Sequence, residues 1–155
     1  MILLTQEPLK PGSLTSEVTR DRNGAVITFL GNTRRLNGDK EVLFLEYEAY
    51  EPMALKELQK IKRAAVDKWG AVDIAIAHRF GKLAIKDTSL VVAVGSKHRR
   101  ESFEVCSFIV DRIKETVPIW KKEVFADGSI WVGCQSHQHS LSTMTIKIDA
   151  SKPLI

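Results

Sequence analysis

Basic side chains gather where a strand is expected to give way to a helix. Residues 96–100 read Ser-Lys-His-Arg-Arg, with His98 and Arg99 at the centre. A helix N-terminus presents free backbone N–H groups and the positive end of the helix dipole, and arginine adds donors for an anion. The segment therefore predicts a phosphate or carboxylate site, although a solvated basic turn would explain the same residues without a ligand.

Two lysines flank a proline-fixed turn further along the chain. Lys114 lies near the expected end of that helix, and Lys121 follows Pro118 and Trp120. A lysine held against apolar groups or other cations has a lowered pKa and can act as a base or nucleophile. The alternatives are that Lys114 only complements the helix dipole and that Lys121 is an ordinary exposed strand lysine.

An arginine follows a glycine turn in the first third of the chain. Residues 29–34 read Phe-Leu-Gly-Asn-Thr-Arg, so Arg34 is presented just after a strand that contains Phe29. A glycine at such a point lets a ligand or a partner's backbone approach closely. An ordinary turn with an exposed arginine is the alternative explanation.

The remaining histidines and the cysteines suggest little chemistry. His78 fits a strand histidine, and Cys106 falls on an apolar helix face. Cys134, His137 and His139 lie close together, but no fourth ligand is near, so we predict no metal site. The two cysteines form no CxxC pair, which favours free thiols in the reducing cytoplasm.

Length and charge set broad limits on fold and partners. A chain of 155 residues fits one domain, and its net charge of +4 favours anionic partners without demanding nucleic acid. Basic residues are mixed with acidic ones, as in Lys121-Lys122-Glu123, and no aromatic stripe accompanies them. We expect neither a signal peptide nor a membrane span.

The hydrophobic pattern predicts the elements that must position these residues. Strands are predicted at residues 2–5, 25–30, 42–50, 72–80, 89–95, 119–125 and 129–132, and helices at residues 13–18, 53–69 and 96–115. Ser13 or Thr15 would cap the first helix and Ser96 the last, with Phe103 facing inward. Residues 31–40 and 81–88 are predicted loops, Gly70 is predicted to end the second helix, and Asp127-Gly128 is predicted to form the turn of a hairpin between the strands at 119–125 and 129–132. The order favours an α+β fold with a mixed or antiparallel sheet and two main helices.

The C-terminal segment differs from the rest. Residues 136–140 read Ser-His-Gln-His-Ser, whereas residues 144–148 alternate like a strand. We therefore expect a domain over residues 1–134 and a tail over residues 135–155. The tail is predicted to form an extra strand, to pair with a partner or to be disordered.

Five segments together resemble the catalytic (large) subunit family of molybdopterin synthase. They are Gly-Ala-Val-Ile-Thr-Phe-Leu-Gly-Asn-Thr-Arg at 24–34, Leu-Glu-Tyr-Glu-Ala-Tyr-Glu-Pro-Met at 45–53, His-Arg-Phe-Gly at 78–81, Ser-Lys-His-Arg at 96–99 and Val-Pro-Ile-Trp-Lys-Lys-Glu at 117–123. The resemblance covers roughly residues 24–131. Five segments in one order are far more specific than any single one.

The resemblance implies an α/β hammerhead fold and a homodimer. Each end of the dimer would bind a small ubiquitin-like sulfur carrier, giving a heterotetramer. The carrier's C-terminal Gly-Gly thiocarboxylate would enter the pocket and supply sulfur to cyclic pyranopterin monophosphate, forming molybdopterin. No bound cofactor, nucleic acid or membrane is implied.

The resemblance also assigns roles to individual residues. It places Arg34, His98 and Arg99 on the substrate and its phosphate, and Lys114 and Lys121 at the reacting centre, in contact with substrate. Phe29 would line the partner channel. After Trp131 the family often has another basic residue, but here Val-Gly-Cys-Gln follows, so no ligand is assigned there. A basic RNA-binding module and a non-catalytic scaffold for a ubiquitin-like partner are the competing hypotheses.

Overall fold

A computed structural model describes residues 1–134 and 145–147 of the chain. Along these residues the elements are β1 (Ile2–Thr5), α1 (Pro11–Val18), β2 (Ala25–Asn32), β3 (Leu36–Asn37), β4 (Lys40–Ala49), α2 (Glu51–Trp69), β5 (Asp73–Arg79), β6 (Gly81–Ala84), β7 (Thr88–Ser96), α3 (Arg99–Thr116), β8 (Ile119–Phe125), β9 (Ser129–Cys134) and β10 (Thr145–Lys147). The α+β class and the two main helices, α2 and α3, are confirmed. None of the helices in these ranges is long and apolar enough to span a bilayer.

The strands form two sheets. One has the order β1-β5-β7-β2 and is mixed, because β1 runs parallel to β5 while the other pairs are antiparallel. The other is antiparallel, with the order β10-β9-β8-β4-β3 and β6 also paired to β4. The predicted alternatives of a mixed and an antiparallel sheet are thus both present.

Both faces of the mixed sheet are covered, which explains the continuous apolar runs of its central strands. The helices α2 and α3 pack on one face, over side chains such as Ile76 and Val92. The short helix α1 packs on the other, where Leu14 and Val18 meet alternate residues of β5 and β7. Alternation along each central strand therefore supplies two separate apolar clusters.

The predicted helix N-termini were misplaced by a few residues. The helix α1 begins at Pro11, because proline suits the first turn, and Thr15 instead donates to the carbonyl of Pro11. Ser96 does not cap α3. Its hydroxyl donates to the backbone carbonyl of His98, and His98 occupies the N-cap position with an extended backbone.

Other local predictions also need correction. Residues 31–40 and 81–88 were expected to be loops, yet they contain β3 and β6, which both pair with β4. Phe103 was expected to face inward but is 65% exposed, and α3 buries Ser102 and Val105 instead. The outward position of Phe103 follows from the rotation of α3, which is set by Cys106, Ile109 and Ile113 on the core side.

A register irregularity between Val42 and Phe44 sets the faces of β4. Simple alternation predicts that Val42 and Leu45 lie on opposite faces, but both are buried, whereas Leu43 is exposed. An extra residue in one strand shifts the alternation by one position. The C-terminal half of β4 consequently presents Leu45 and Tyr47 to the core.

The predicted tail falls largely outside the described residues. Within it, Thr145–Lys147 forms β10, which pairs antiparallel with β9. Residues 135–144 and 148–155, including His137 and His139, lie outside the described ranges.

The close approach of α1 to the mixed sheet predicts a strong effect of one methyl group. A Cβ at Gly95 would overlap the backbone carbonyl of Val18 and the side-chain amide of Asn23. We expect Gly95→Ala to lower the free energy of unfolding by about 1–3 kcal/mol, as overpacking does elsewhere. Urea denaturation measures this. Gly12→Ala, where a Cβ meets nothing within 4 Å, is the matched control and should not destabilise. Equal stability of the two variants would contradict the prediction.

Candidate active site

The strand β8 carries a polar pair on its inward face. Alternation places Ile119, Lys121, Glu123 and Phe125 on one side of the strand, and the apolar residues at both ends are buried. The side chains of Lys121 and Glu123 are only 19% and 7% exposed. An ammonium group and a carboxylate are thus enclosed within an otherwise apolar face, where only a mutual charge interaction makes burial tolerable.

The carboxylate of Glu123 uses its two oxygens for different partners. Its Oε1 lies 3.7 Å from Nζ of Lys121. Its Oε2 accepts a hydrogen bond of 2.6 Å from Nδ2 of Asn37. The second contact joins β3 to β8, which are separated by β4 in the sheet.

The ring of Trp131 forms one wall beside the lysine. Nζ of Lys121 lies 5.4 Å from the ring centroid, within the range of a cation–π interaction. Gly133 faces Lys121 across the β8–β9 pair. A Cβ at that glycine would overlap the indole ring, so the missing side chain makes room for Trp131 beside the lysine.

Burial lowers the pKa of the Lys121 ammonium below its usual value, because desolvation disfavours the charged form. The negative charge of Glu123 acts in the opposite direction and raises that pKa. The positive charges of Arg34 and Lys114 lower it further. A lysine with a lowered pKa exchanges protons more readily near neutral pH than an ordinary surface lysine does.

Arg34 and Lys114 are thus close enough for their charges to act on the pKa of Lys121. Arg34 is on the connection after β2, which is anchored because the N–H of Thr33 donates to Asp87 and its carbonyl accepts from Lys86. Lys114 lies in the last turn of α3 and is exposed. Three elements distant along the sequence thus contribute positive charge around Lys121, which is suited to a phosphate or a carboxylate.

Several neighbouring basic residues pair with carboxylates, whereas Arg34 and Lys114 do not. Arg35 pairs with Glu41 at 3.3 Å, Lys122 with Glu46 at 3.7 Å, and Arg112 with Glu115 at 3.1 Å. Within residues 1–134, Arg34, Lys114, His98 and Arg99 form no ion pair. Their charges remain available for an anionic ligand.

His98 and Arg99 lie at the opposite end of α3 from Lys114. Both are exposed, and His98 makes no side-chain capping hydrogen bond. A helix rises about 1.5 Å per residue, so roughly 22 Å separates Arg99 from Lys114 along the axis. Arg99 and Lys114 of a single chain therefore do not contact the same phosphate group.

The other candidates occupy structural positions. Phe29 lies on β2 and is partly buried against the main core. His78 is fully buried, with Nδ1 2.9 Å from the carbonyl of Arg79 and its ring against Tyr47. Cys106 is a buried free thiol whose pKa is raised by desolvation. Among the described residues, no three His, Cys, Asp or Glu side chains form a metal-binding group.

Sequence reasoning left three site residues without a role: Asn37, Glu123 and Trp131. Alternation from Ile119 would have placed Glu123 beside Lys121, because both are an even number of residues from it. Trp131 is found by pairing β8 with β9 across the predicted Asp127-Gly128 turn. No sequence pattern identifies Asn37, because its contact with Glu123 depends on where the β3–β4 hairpin lies relative to β8.

Opposite charges around Lys121 predict opposite shifts in its titration. Glu123→Gln removes the carboxylate that raises the pKa of Lys121, so the titration midpoint should move to lower pH. Lys114→Met removes a cation that lowers the pKa, so the midpoint should move to higher pH. Carbon-13 NMR of labelled lysine, with Lys121→Arg to assign the resonance, measures both. Shifts of the same sign would contradict this electrostatic arrangement.

Comparison with known proteins connects this arrangement to one family. Residues 4–116 match the family model described as MoaE protein. The molybdopterin synthase catalytic subunit of Halalkalibacterium halodurans is 41% identical over 132 residues, covering 85% of each chain. The crystal structure of molybdopterin synthase from Staphylococcus aureus superposes with a TM-score of 0.81 at 36% identity, covering 84% of this chain and 95% of the other.

A more distant structure shares the fold. It is the complex of subunits 1 and 2 of molybdopterin-converting factor from Helicobacter pylori, with a TM-score of 0.68 at 22% identity, covering 81% of this chain and 86% of the other. The family match covers well over half of the sequence and includes Arg34, His98, Arg99 and Lys114. The chain therefore belongs to the MoaE family, that of the molybdopterin synthase catalytic subunits.

Proposed function

We propose that this chain is the catalytic subunit of a molybdopterin synthase and acts in molybdenum cofactor biosynthesis. It would transfer sulfur from the C-terminal thiocarboxylate of a small ubiquitin-like subunit to cyclic pyranopterin monophosphate. The observation that carries the proposal is the buried Lys121 with its lowered pKa, beside the cations Arg34 and Lys114, in a chain of this family. No comparable observation supports an RNA-binding module or a non-catalytic scaffold.

The site matches the charges that arise in this reaction. The substrate carries a phosphate, which guanidinium groups bind well, and Arg34 is uncommitted to any carboxylate in residues 1–134. Attack on or by a thiocarboxylate develops negative charge, which a nearby ammonium group stabilises. Sulfur arrives on the partner, so the chain needs no reactive cysteine, and Cys106 is buried with a raised pKa.

The two lysines suit different tasks. Lys121 is desolvated and held by Glu123, so its proton can be exchanged with the reacting groups at a fixed position. Lys114 is exposed at the end of α3 and can follow the substrate as it enters. We assign Lys121 to proton transfer and Lys114 to stabilising the negative charge of the carrier's terminus.

The carrier's tail has a suitable approach along β2. This strand lies at the edge of the mixed sheet formed by the described residues, contains Phe29 and leads directly to Arg34. Extended peptides commonly add to sheet edges, and a Gly-Gly terminus has no side chains to obstruct such an approach. The Helicobacter pylori structure is a complex of two subunits, which supports a small-subunit partner here as well.

We further propose that His98 and Arg99 serve the site of a second copy of the chain. They lie roughly 22 Å along α3 from Lys114, yet the family resemblance places both groups on one substrate. A homodimer in which α3 of one copy reaches the lysines of the other resolves this separation. With one small subunit at each end, the assembly would be a heterotetramer. A cytoplasmic location stays a prediction from cysteine usage.

The opposite faces of β8 provide a matched pair of lysine variants. We expect Lys121→Ala to lower kcat by at least about 100-fold, on the scale seen when a charge-stabilising group is lost. Lys114→Ala should have a similar effect. Lys122→Ala is the control, because Lys122 faces the other side of β8 and pairs with Glu46. Turnover with purified thiocarboxylated small subunit and the pterin substrate is the measurement.

Measurements of small-subunit binding and of the fold distinguish a loss of catalysis from a loss of structure in these variants. Calorimetry should give an unchanged affinity of Lys121→Ala for the small subunit, and circular dichroism an unchanged fold for both variants. Full turnover by Lys121→Ala would reject the catalytic role. Carrier binding without turnover by the unaltered protein would instead favour the scaffold hypothesis, and salt-sensitive binding of generic RNA would favour the nucleic-acid hypothesis.

Mixed dimers test whether the site is shared. Arg99→Ala and Lys121→Ala chains should each be inactive alone, because each breaks both composite sites of a homodimer. A mixed dimer keeps one site in which both residues are intact, so activity should reappear when the variants are refolded together. Activity of the mixture equal to the sum of the separate variants would show that each site is built from one chain.

A further inference from the structure

The amide of Asn37 makes an unusual contact across the antiparallel sheet. It lies in the two-residue strand β3, whose turn depends on Gly38 at a φ of +60°. Its Nδ2 donates 2.6 Å to Oε2 of Glu123 on β8, 86 positions further along the chain. Because β4 separates β3 from β8 in the sheet, this bond reaches across an intervening strand.

This hydrogen bond determines where the carboxylate of Glu123 can lie. A charge-assisted bond between an ammonium group and a carboxylate is normally about 2.7–2.9 Å long. The Lys121–Glu123 distance is 3.7 Å, so the carboxylate stabilises the charge of the lysine without accepting a short hydrogen bond from it. The other oxygen, Oε2, is held by the 2.6 Å bond to Asn37, which restrains the carboxylate group as a whole.

We propose that Asn37 is a positioning residue that restrains Glu123, so that the N–H donors of Lys121 stay available to the substrate. The same bond fixes the hairpin that begins just after Arg34 and thereby ties the arginine to the lysine strand. Without this restraint, the carboxylate of Glu123 would move closer to Lys121 and accept a short hydrogen bond from its ammonium group. The consequence for turnover rests on the proposed function, whereas the restraint itself does not.

The titration midpoint of Lys121 depends on the charged and titratable groups around it. Glu123 on its own strand, Arg34 on the connection after β2 and Lys114 on α3 all act on its charge. Tyr47, its cross-strand neighbour on β4, is a further titratable group beside it, and the ring of His78 packs against that of Tyr47. Asn37 is uncharged, so its removal acts on this titration indirectly, through movement of these groups or through their rehydration.

The decisive experiment follows the titration of Lys121 in the full-length protein by carbon-13 NMR. Asn37→Ala should shift the midpoint to higher pH, because a closer carboxylate stabilises the ammonium form. Asn37→Gln, which keeps the amide donor, should return it towards the wild-type value. Asn23→Ala is the matched control, because it removes an amide that donates 2.8 Å to a carboxylate, Asp73, elsewhere in the fold. It should leave the midpoint unchanged.

Enzyme kinetics provide an independent second readout. Asn37→Ala should lose about tenfold in kcat/KM at neutral pH, on the order of one hydrogen bond to a charged group. The pH profile should move to higher pH together with the NMR midpoint. A Lys121 midpoint that stays constant or moves to lower pH would overturn the proposal. If Asn37→Ala does not fold, Asn37→Ser, too short to reach Glu123, replaces it.

The two readouts separate this inference from the proposed function. A wild-type protein that fails to turn over pterin would refute the function, yet the NMR titration would still decide whether Asn37 restrains Glu123. A midpoint shift with unchanged kinetics would overturn the role of Asn37 in positioning for catalysis.

Discussion

The candidate site depends on one desolvated charge. Removing the ammonium group of Lys121 from water is costly, and the nearby cations Arg34 and Lys114 add repulsion. Glu123 offsets part of this cost and is itself buried, so the two residues must be placed together. The alternation of β8 achieves this directly, because residues two apart share a face. The result is a lysine whose pKa is lowered but whose position is fixed.

The sheets and helices position the residues that surround Lys121 and Glu123. The antiparallel sheet supplies Trp131 from β9 and, through the folded hairpin, Asn37 from β3. The mixed sheet supplies the end of β2 that leads to Arg34, and α3 places Lys114 at the same end of the molecule. Rigid elements hold most of these groups, which favours electrostatic preorganisation over induced fit.

The length of α3 has a consequence beyond the single chain. A helix of 18 residues separates the groups at its two ends by more than the reach of their side chains. His98 and Arg99 therefore lie away from Lys114, at the same end of α3 as the exposed ring of Phe103. Exposed aromatic and arginine side chains are typical of interface centres, in agreement with the proposed assembly of two copies.

Much of the fold was predictable from local patterns. The helix α2 followed from the spacing of its apolar residues and from Gly70 at its end, and the β8–β9 hairpin followed from Asp127-Gly128. The errors arose where local patterns are ambiguous. Short strands such as β3 and β6 exist only because β4 pairs with them, and the register shift in β4 changes which residues are buried.

The sequence by itself determined the fold class, the main elements and the family, and it identified Arg34, Lys114 and Lys121 as candidates, because residue types and spacing are local information. Only the tertiary structure decided that the charges of Arg34 and Lys114 act on Lys121, that Glu123 and Asn37 are joined beside it, and that the length of α3 separates Arg99 from Lys114. Burial, charge proximity and cross-strand hydrogen bonds depend on distances between residues remote in sequence. Such distances are set by packing as a whole.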